Sequence, residues 1–136
     1  MQITLNLMHV FHAGSSPRDN ALALEALLDC MVKLNLAFLR THPGTKPLYS
    51  SGVRYGRTRI WEPIPALYAR GYGDCKSLAT ARIAELRLSG VECKPVFRWV
   101  QRPNGVRDFH ILVQTGDTFE DPSKTLGMGE NENARR

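Results

Sequence analysis

Cys75, His110 and Asp121 occur in the order, and in the local settings, that an activated nucleophile requires. Cys75 closes the run Arg70-Gly71-Tyr72-Gly73-Asp74 and opens a clear helical pattern. A Gly-rich turn that delivers a cysteine onto a helix N-terminus puts the sulfur beside unpaired N–H groups and the positive end of the helix dipole, and both favour the thiolate. A free thiol, with a pKa of about 8.5, is only a few per cent ionised at neutral pH, and two units of lowering are worth roughly 3 kcal/mol. A histidine supplies the base and a carboxylate orients its ring, which together make the nucleophile of an acyl transfer. The chain has three more histidines, His9, His12 and His42, but only His110 is followed by a carboxylate at a spacing with a structural rationale.

That rationale is strand parity. If a two-residue hairpin loop is centred on Thr115-Gly116, His110 lies directly opposite Asp121; if it is centred on Gly116-Asp117, Leu112 faces Asp121 and His110 is its diagonal neighbour. Both registers place the two side chains on one sheet face, and a three-residue loop would separate them. Ile111 and Val113 then point the other way, into the core. Each residue also has a plainer account. A cysteine at a helix start is often structural, a strand histidine among apolar residues is often a satisfied core residue, and Asp121-Pro122 is a turn initiator. Cys75, Cys93, His110 and Asp121 are all zinc-ligand types, but their spacing makes no compact ligand pair, so no metal is expected.

The elements that must position these groups follow from pattern and punctuation. Residues 2–11 read as a strand, with Ile3, Leu5 and Leu7 alternating, and Ala13-Gly14-Ser15 reads as a turn. Ser16 caps and Pro17 opens a helix from 17 to about 40, with Leu24, Leu27, Leu28, Met31, Val32 and Leu39 on its apolar face and Cys30 near that face as filler. Residues 42–73 are rich in Gly, Pro, Ser and Arg, with a short helical suggestion at 63–69. So long an irregular stretch is usually functional, and here it is expected to wall the site with Trp61, Tyr68 and Tyr72. The second helix has Asp74 as N-cap, Cys75 first, Leu78, Ala79, Ile83 and Leu86 buried, and Gly90 as left-handed exit. Strands are expected at 91–100, 109–114 and 118–121, the first ended by the turn Arg102-Pro103-Asn104-Gly105. A polar tail follows from Gly127, expected to be disordered.

A length of 136 residues, 43% apolar and 23% charged, fits one globular domain. No apolar run reaches the length of a membrane span, and the N-terminus lacks the basic and apolar regions of a signal peptide. The three cysteines suggest a reduced, cytosolic state. The net charge is +5, with arginines grouped at Arg54, Arg57, Arg59 and Arg70 and again at Arg98, Arg102 and Arg107. Such groups are either a solvated surface or the footprint of an anionic partner, an acidic peptide or nucleic acid; no aromatic-interleaved motif supports nucleic acid.

Gly73-Asp74-Cys75, the helix ending Leu86-Arg87-Leu88-Ser89-Gly90-Val91, the strand leading to His110, and Glu120-Asp121-Pro122 together resemble the transglutaminase-like superfamily. The resemblance covers about residues 70–128 within a single domain over 1–128, with 129–136 as tail. It implies an α+β fold with a papain-like core, in which a Cys-bearing helix packs on a small antiparallel β-sheet that carries the His and the Asp. It implies Cys75 as nucleophile, His110 as general base and acid, Asp121 as orienting carboxylate, and no cofactor. Asp121-Pro122-Ser123-Lys124 with Leu126-Gly127-Met128 is similar to small members carried by tailed bacteriophages and prophages. That narrower likeness implies a bacterial or infected-host cytoplasm, or the virion, with virion or assembly proteins as partners. Ile111 stands where an Ala-Trp pair is frequent, and Phe119 near the usual Trp. These departures leave the three central residues in place and alter the acyl-acceptor side. Besides the Cys75 backbone N–H, Tyr72 is the candidate oxyanion donor, with Asp74 and Trp61 as further substrate-side candidates.

The expected chemistry is attack by Cys75 on a peptide or protein amide, with release of the acyl group to water (a peptidase or amidase) or to an amine (a transamidase). The intermediate is common to both. A different class of function is an assembly module that keeps this fold without turnover.

Overall fold

The long first helix, α1 (Pro17–Thr41), starts where the cap chemistry puts it: the Ser16 hydroxyl accepts from the Asp19 amide at 3.1 Å. The structure, a computed structural model, describes Thr4 and residues 16–101, 103–105 and 107–129. The expected strand at 2–11 and turn at 13–15 lie outside the described residues, as does the tail beyond residue 129. Leu28, Met31, Val32 and Leu39 of α1 are buried. Cys30 is exposed rather than filling the core, because it follows Leu28 by two positions and so turns away from the buried stripe.

Between the helices the chain is more ordered than its composition indicates. A 3-10 turn spans Leu48–Ser50, strand β1 Arg54–Tyr55, helix α2 Ile64–Arg70 and strand β2 Tyr72–Gly73. β1 and β2 pair in parallel, Arg54 with Tyr72 and Tyr55 with Gly73. Strands this short carry no readable period; backbone bonds from Arg54 to Gly71 (3.0 Å), Gly56 to Gly73 (2.9 Å) and Tyr55 to Leu126 (2.9 Å) make them. α2 lacks a capping side chain of its own, and the fully buried Asn35 of α1 accepts from the Ile64 amide at 2.8 Å instead.

Helix α3 (Cys75–Leu88) has Asp74 as N-cap and leaves through Gly90 at φ 83°. Its burial is wider than one stripe: Lys76 through Ala81 are all buried, because α3 is packed from two sides. Leu78, Ala81 and Ala84 join Leu39, Leu48, Ile64, Leu67 and Leu126 in one apolar cluster. Ala79 and Ile83 join Leu28, Val32, Cys93, Ile111 and Val113 in another.

The antiparallel sheet runs β3 (Lys94–Gln101), β4 (Arg107–Thr115), β5 (Thr118–Glu120), in the order β3-β4-β5. β3 begins three residues later than the pattern indicates, after Val91 to Cys93 have made the exit from α3, and β4 is longer at both ends. Thr115 pairs with Thr118, so the hairpin loop is Gly116-Asp117, and Gly116 adopts the positive φ of 58° that the first position of such a loop favours. β5 stops at Glu120. Asp121 instead caps a short helix, α4 (Pro122–Thr125), accepting from the Lys124 amide at 3.1 Å. Gly127 to Gly129 continue this turn, with the Met128 amide bonded to the Ser123 carbonyl at 2.8 Å, so the ordered chain runs past the expected start of the tail. Helices and an antiparallel sheet around a shared core make the fold α+β. Among the described residues no helix is long and apolar enough to cross a membrane.

Candidate active site

Cys75 is the first residue of α3, half-buried, and is presented by the β2 strand just before it. Gly73 is needed there: a Cβ would lie 2.6 Å from Leu67 Cδ1 and 3.4 Å from Ser77 Cβ. A larger residue would force either the buried Leu67 side chain or the turn itself to move. The flanking pair Asp74 and Lys76 locks the turn further. The Asp74 carboxylate accepts from the Lys76 amide at 3.3 Å and makes an ion pair with the Lys76 ammonium. That ammonium, almost fully buried, also donates to the Thr58 carbonyl at 2.7 Å and lies 6.0 Å from the Trp61 ring centroid. The loop at 58–61 is thus tied to the start of α3.

His110 and Asp121 meet as the second hairpin register requires. Val113 pairs with Glu120, which sets Leu112 beside Asp121 and makes His110 the diagonal neighbour. His110 Nε2 lies 2.9 Å from Asp121 Oδ2. Ile111 and Val113 are fully buried in the core cluster that contacts α3, as parity dictates. Hydrogen bonding to Asp121 and then to Cys75, opposed by burial and aided by the negative charge of both, pushes the His110 imidazole up from 6.5 to about 9. With Nε2 on the carboxylate, Nδ1 is the nitrogen left for the sulfur. Burial would push Asp121 up. The hydrogen bond from His110, the Lys124 amide and the nearby positive charges outweigh it, and the carboxyl sits below its ordinary value. At neutral pH the site therefore holds an imidazolium between two groups that prefer it charged.

The other sequence candidates fall in different places. Trp61 packs against the core cluster that Cys75 touches, and its ring is approached by Lys76. Tyr72 is 41% exposed, with the Arg70 guanidinium 5.5 Å from its ring centroid. Tyr68 does not wall the site. It packs on the other cluster, and its hydroxyl donates to the Lys46 carbonyl at 2.8 Å. Cys93 is buried, and burial, only partly offset by Arg87, pushes its thiol up. Among the described residues no group of His, Cys, Asp and Glu is arranged to hold a metal ion.

Tyr55 is the neighbour that sequence reasoning missed, and its partner Arg57 was visible only as one of a basic group. Tyr55 sits opposite Gly73 in the β1–β2 pair, within electrostatic reach of Cys75 and Asp74. Burial, then the charge of Cys75, pushes its phenol up, while the charge of Arg57 and a hydrogen bond with it pull back. It is a protonated hydroxyl near the sulfur. No local period marks a two-residue strand, so only the tertiary pairing reveals it. Arg98 was visible only as one of a basic group. Its position comes from the β3–β4 register, in which Gln101 pairs with Arg107 and Arg98 with His110.

No protein-family model matches the chain, and neither the curated proteins nor the solved structures searched contain a match to it.

Proposed function

We propose that this protein is a cysteine-dependent acyltransferase or hydrolase acting on a peptide or protein amide, with the papain-like, transglutaminase-like core that its motifs resemble. The observation that carries the reading is His110, held at 2.9 Å by Asp121 and with its imidazole raised also by Cys75 at the head of α3. Cys75 attacks the amide carbonyl. Its backbone N–H, at the start of α3, is the donor for the oxyanion, with the protonated Tyr55 hydroxyl as a second candidate, and His110 gives its proton to the departing amine. Water or a second amine, activated by the now neutral imidazole, then releases the acyl group. Asp121 keeps the ring turned and its charge balanced throughout.

Alkylation by a low dose of iodoacetamide at pH 6, read by peptide mass spectrometry, tests the pair directly. Exposure favours Cys30, and an ordinary thiol is scarcely ionised at that pH. Cys75, only half-exposed, is expected to react at least tenfold faster than Cys30, and Cys93 slowest. If Cys75 reacts no faster than Cys30, the activated-thiol reading fails.

A second reading, a non-catalytic phage structural or assembly module, is favoured by one observation: Trp99 is 57% exposed at the outer part of the sheet. In that case a Cys75→Ala variant retains the protein's biological role, whereas the enzyme reading requires its loss.

A further inference from the structure

Arg98 is the cross-strand partner of His110 on β3, so the two side chains share one sheet face. The same face carries Leu112, Gln114 and, across the hairpin, Phe119, which pairs with Gln114. The Arg98 guanidinium reaches over β4 and rests 4.9 Å from the Phe119 ring centroid, two residues from Asp121. Both residues are exposed, Phe119 by 49%. The carboxylates closest to it along β5 are already engaged: Glu120 accepts from Arg82 at 3.1 Å, and Asp121 serves His110 and the α4 amides. Among the described residues no carboxylate pairs with Arg98. The result is an exposed guanidinium resting against an aromatic face, on the same sheet face as the His110 imidazole.

Its position gives it a direction along the substrate. The group that protonates the leaving amine must lie on that amine's side of the scissile bond. A cation next to His110 therefore faces the leaving group rather than the acyl portion. A fixed guanidinium fork recognises a carboxylate in a planar, two-pronged way that a neutral amide cannot reproduce. We propose that Arg98, seated on Phe119, forms a carboxylate-binding subsite for the leaving-group side, so that the preferred substrate is an amide whose amine portion bears a carboxylate close to the scissile bond. In the transfer direction, the same subsite selects an amine acceptor that carries a carboxylate. This rests on the acyl-transfer reading for its orientation, while the binding of a carboxylate at Arg98 stands independently of turnover.

Two pools of acetylated hexapeptides, randomised in the first four positions and ending in Glu-Glu with a free terminus or in Gln-Gln amide, provide the probe. Cleavage followed by mass spectrometry is expected to favour the acidic pool by about 10–100-fold in kcat/KM. Arg98→Gln is expected to bring that ratio to within about threefold of unity, while Arg40→Gln, the same loss of charge on α1, keeps it. An undiminished preference in Arg98→Gln, or cleavage of both pools alike by the native protein, overturns the proposal. If neither pool is cleaved, titration of the Cys75→Ala protein, followed by amide and guanidinium NMR shifts, still decides it. Acidic peptides that bind at least tenfold tighter than neutral ones, and lose this with Arg98→Gln, uphold the subsite while the acyl-transfer reading fails. Equal binding of the two pools, or displacement of the acidic peptides by a short oligothymidylate at equal concentration, sinks the subsite.

Discussion

At the scale of single residues, the molecule turns on the state of His110. Its imidazole is raised from 6.5 to about 9, so the positive ring contributes fully to stability below about pH 6.5 and that contribution disappears as pH rises through about 9. The urea midpoint of the native protein is expected to fall between pH 7 and 9.5, and His110→Gln to flatten this slope. Catalysis has the same sign: the acid that protonates the amine is lost above about pH 9, so kcat/KM falls there. Asp121→Asn moves that alkaline limb toward the ordinary value near 6.5 and lowers the rate by about 10²–10⁴-fold. Its melting temperature falls most at pH 6, where the charged ring loses its partner, and least above about pH 9, where only the cap is at stake and asparagine serves nearly as well. A pH–rate profile beside a melting curve separates the two effects. A limb left in place would mean that Asp121 does not set the ring's charge.

At the scale of elements, what decides the site is how the start of α3 is held. Asp74 both caps the helix and partners the nearly buried Lys76 ammonium, which reaches the Thr58 carbonyl. Asp74→Ala removes the cap and leaves a buried charge poorly compensated, and is expected to cost about 3–5 kcal/mol by urea unfolding. Lys76→Met, which removes the buried charge itself and keeps the cap, is expected to cost less than half as much; the reverse order would show that the ammonium's bonds to Asp74 and the Thr58 carbonyl dominate. These features divide by how well a sequence announces them. Ser16, Asp74 and Gly90 were readable because capping and exit residues act locally, within one turn of the helix they bound. The hairpin was readable up to a choice between two registers, both of which keep His110 and Asp121 together, and the pairing of Thr115 with Thr118 makes the choice. The β1–β2 pair, α4 and the position of Tyr55 were not readable, since elements of two to four residues owe their form to partners distant in the chain. Cys30 was misread for a smaller reason. One step around a helix near the edge of its apolar face exchanges core for solvent.

At the scale of the whole molecule, α3 is the shared wall of both apolar clusters, one against α1, α2 and α4, the other against α1 and the sheet. A cavity on either side should therefore weaken a common structure. Leu78→Ala and Ile83→Ala are each expected to cost about 2–5 kcal/mol, with far-UV circular dichroism and tryptophan fluorescence melting together. Transitions that separate would show two independently stable halves. The loop Gly116-Asp117, finally, works as a spacer of fixed length between base and carboxylate. Lengthening it by a single glycine would rotate the carboxylate arm by half a pleat, disturbing α4 while leaving α1, α2 and α3 in place. Such a chain should fold, melt below its parent and lose the rapid alkylation of Cys75. Natural variation in loop length should accordingly be tolerated at the 42–47 bend and purged at this one corner.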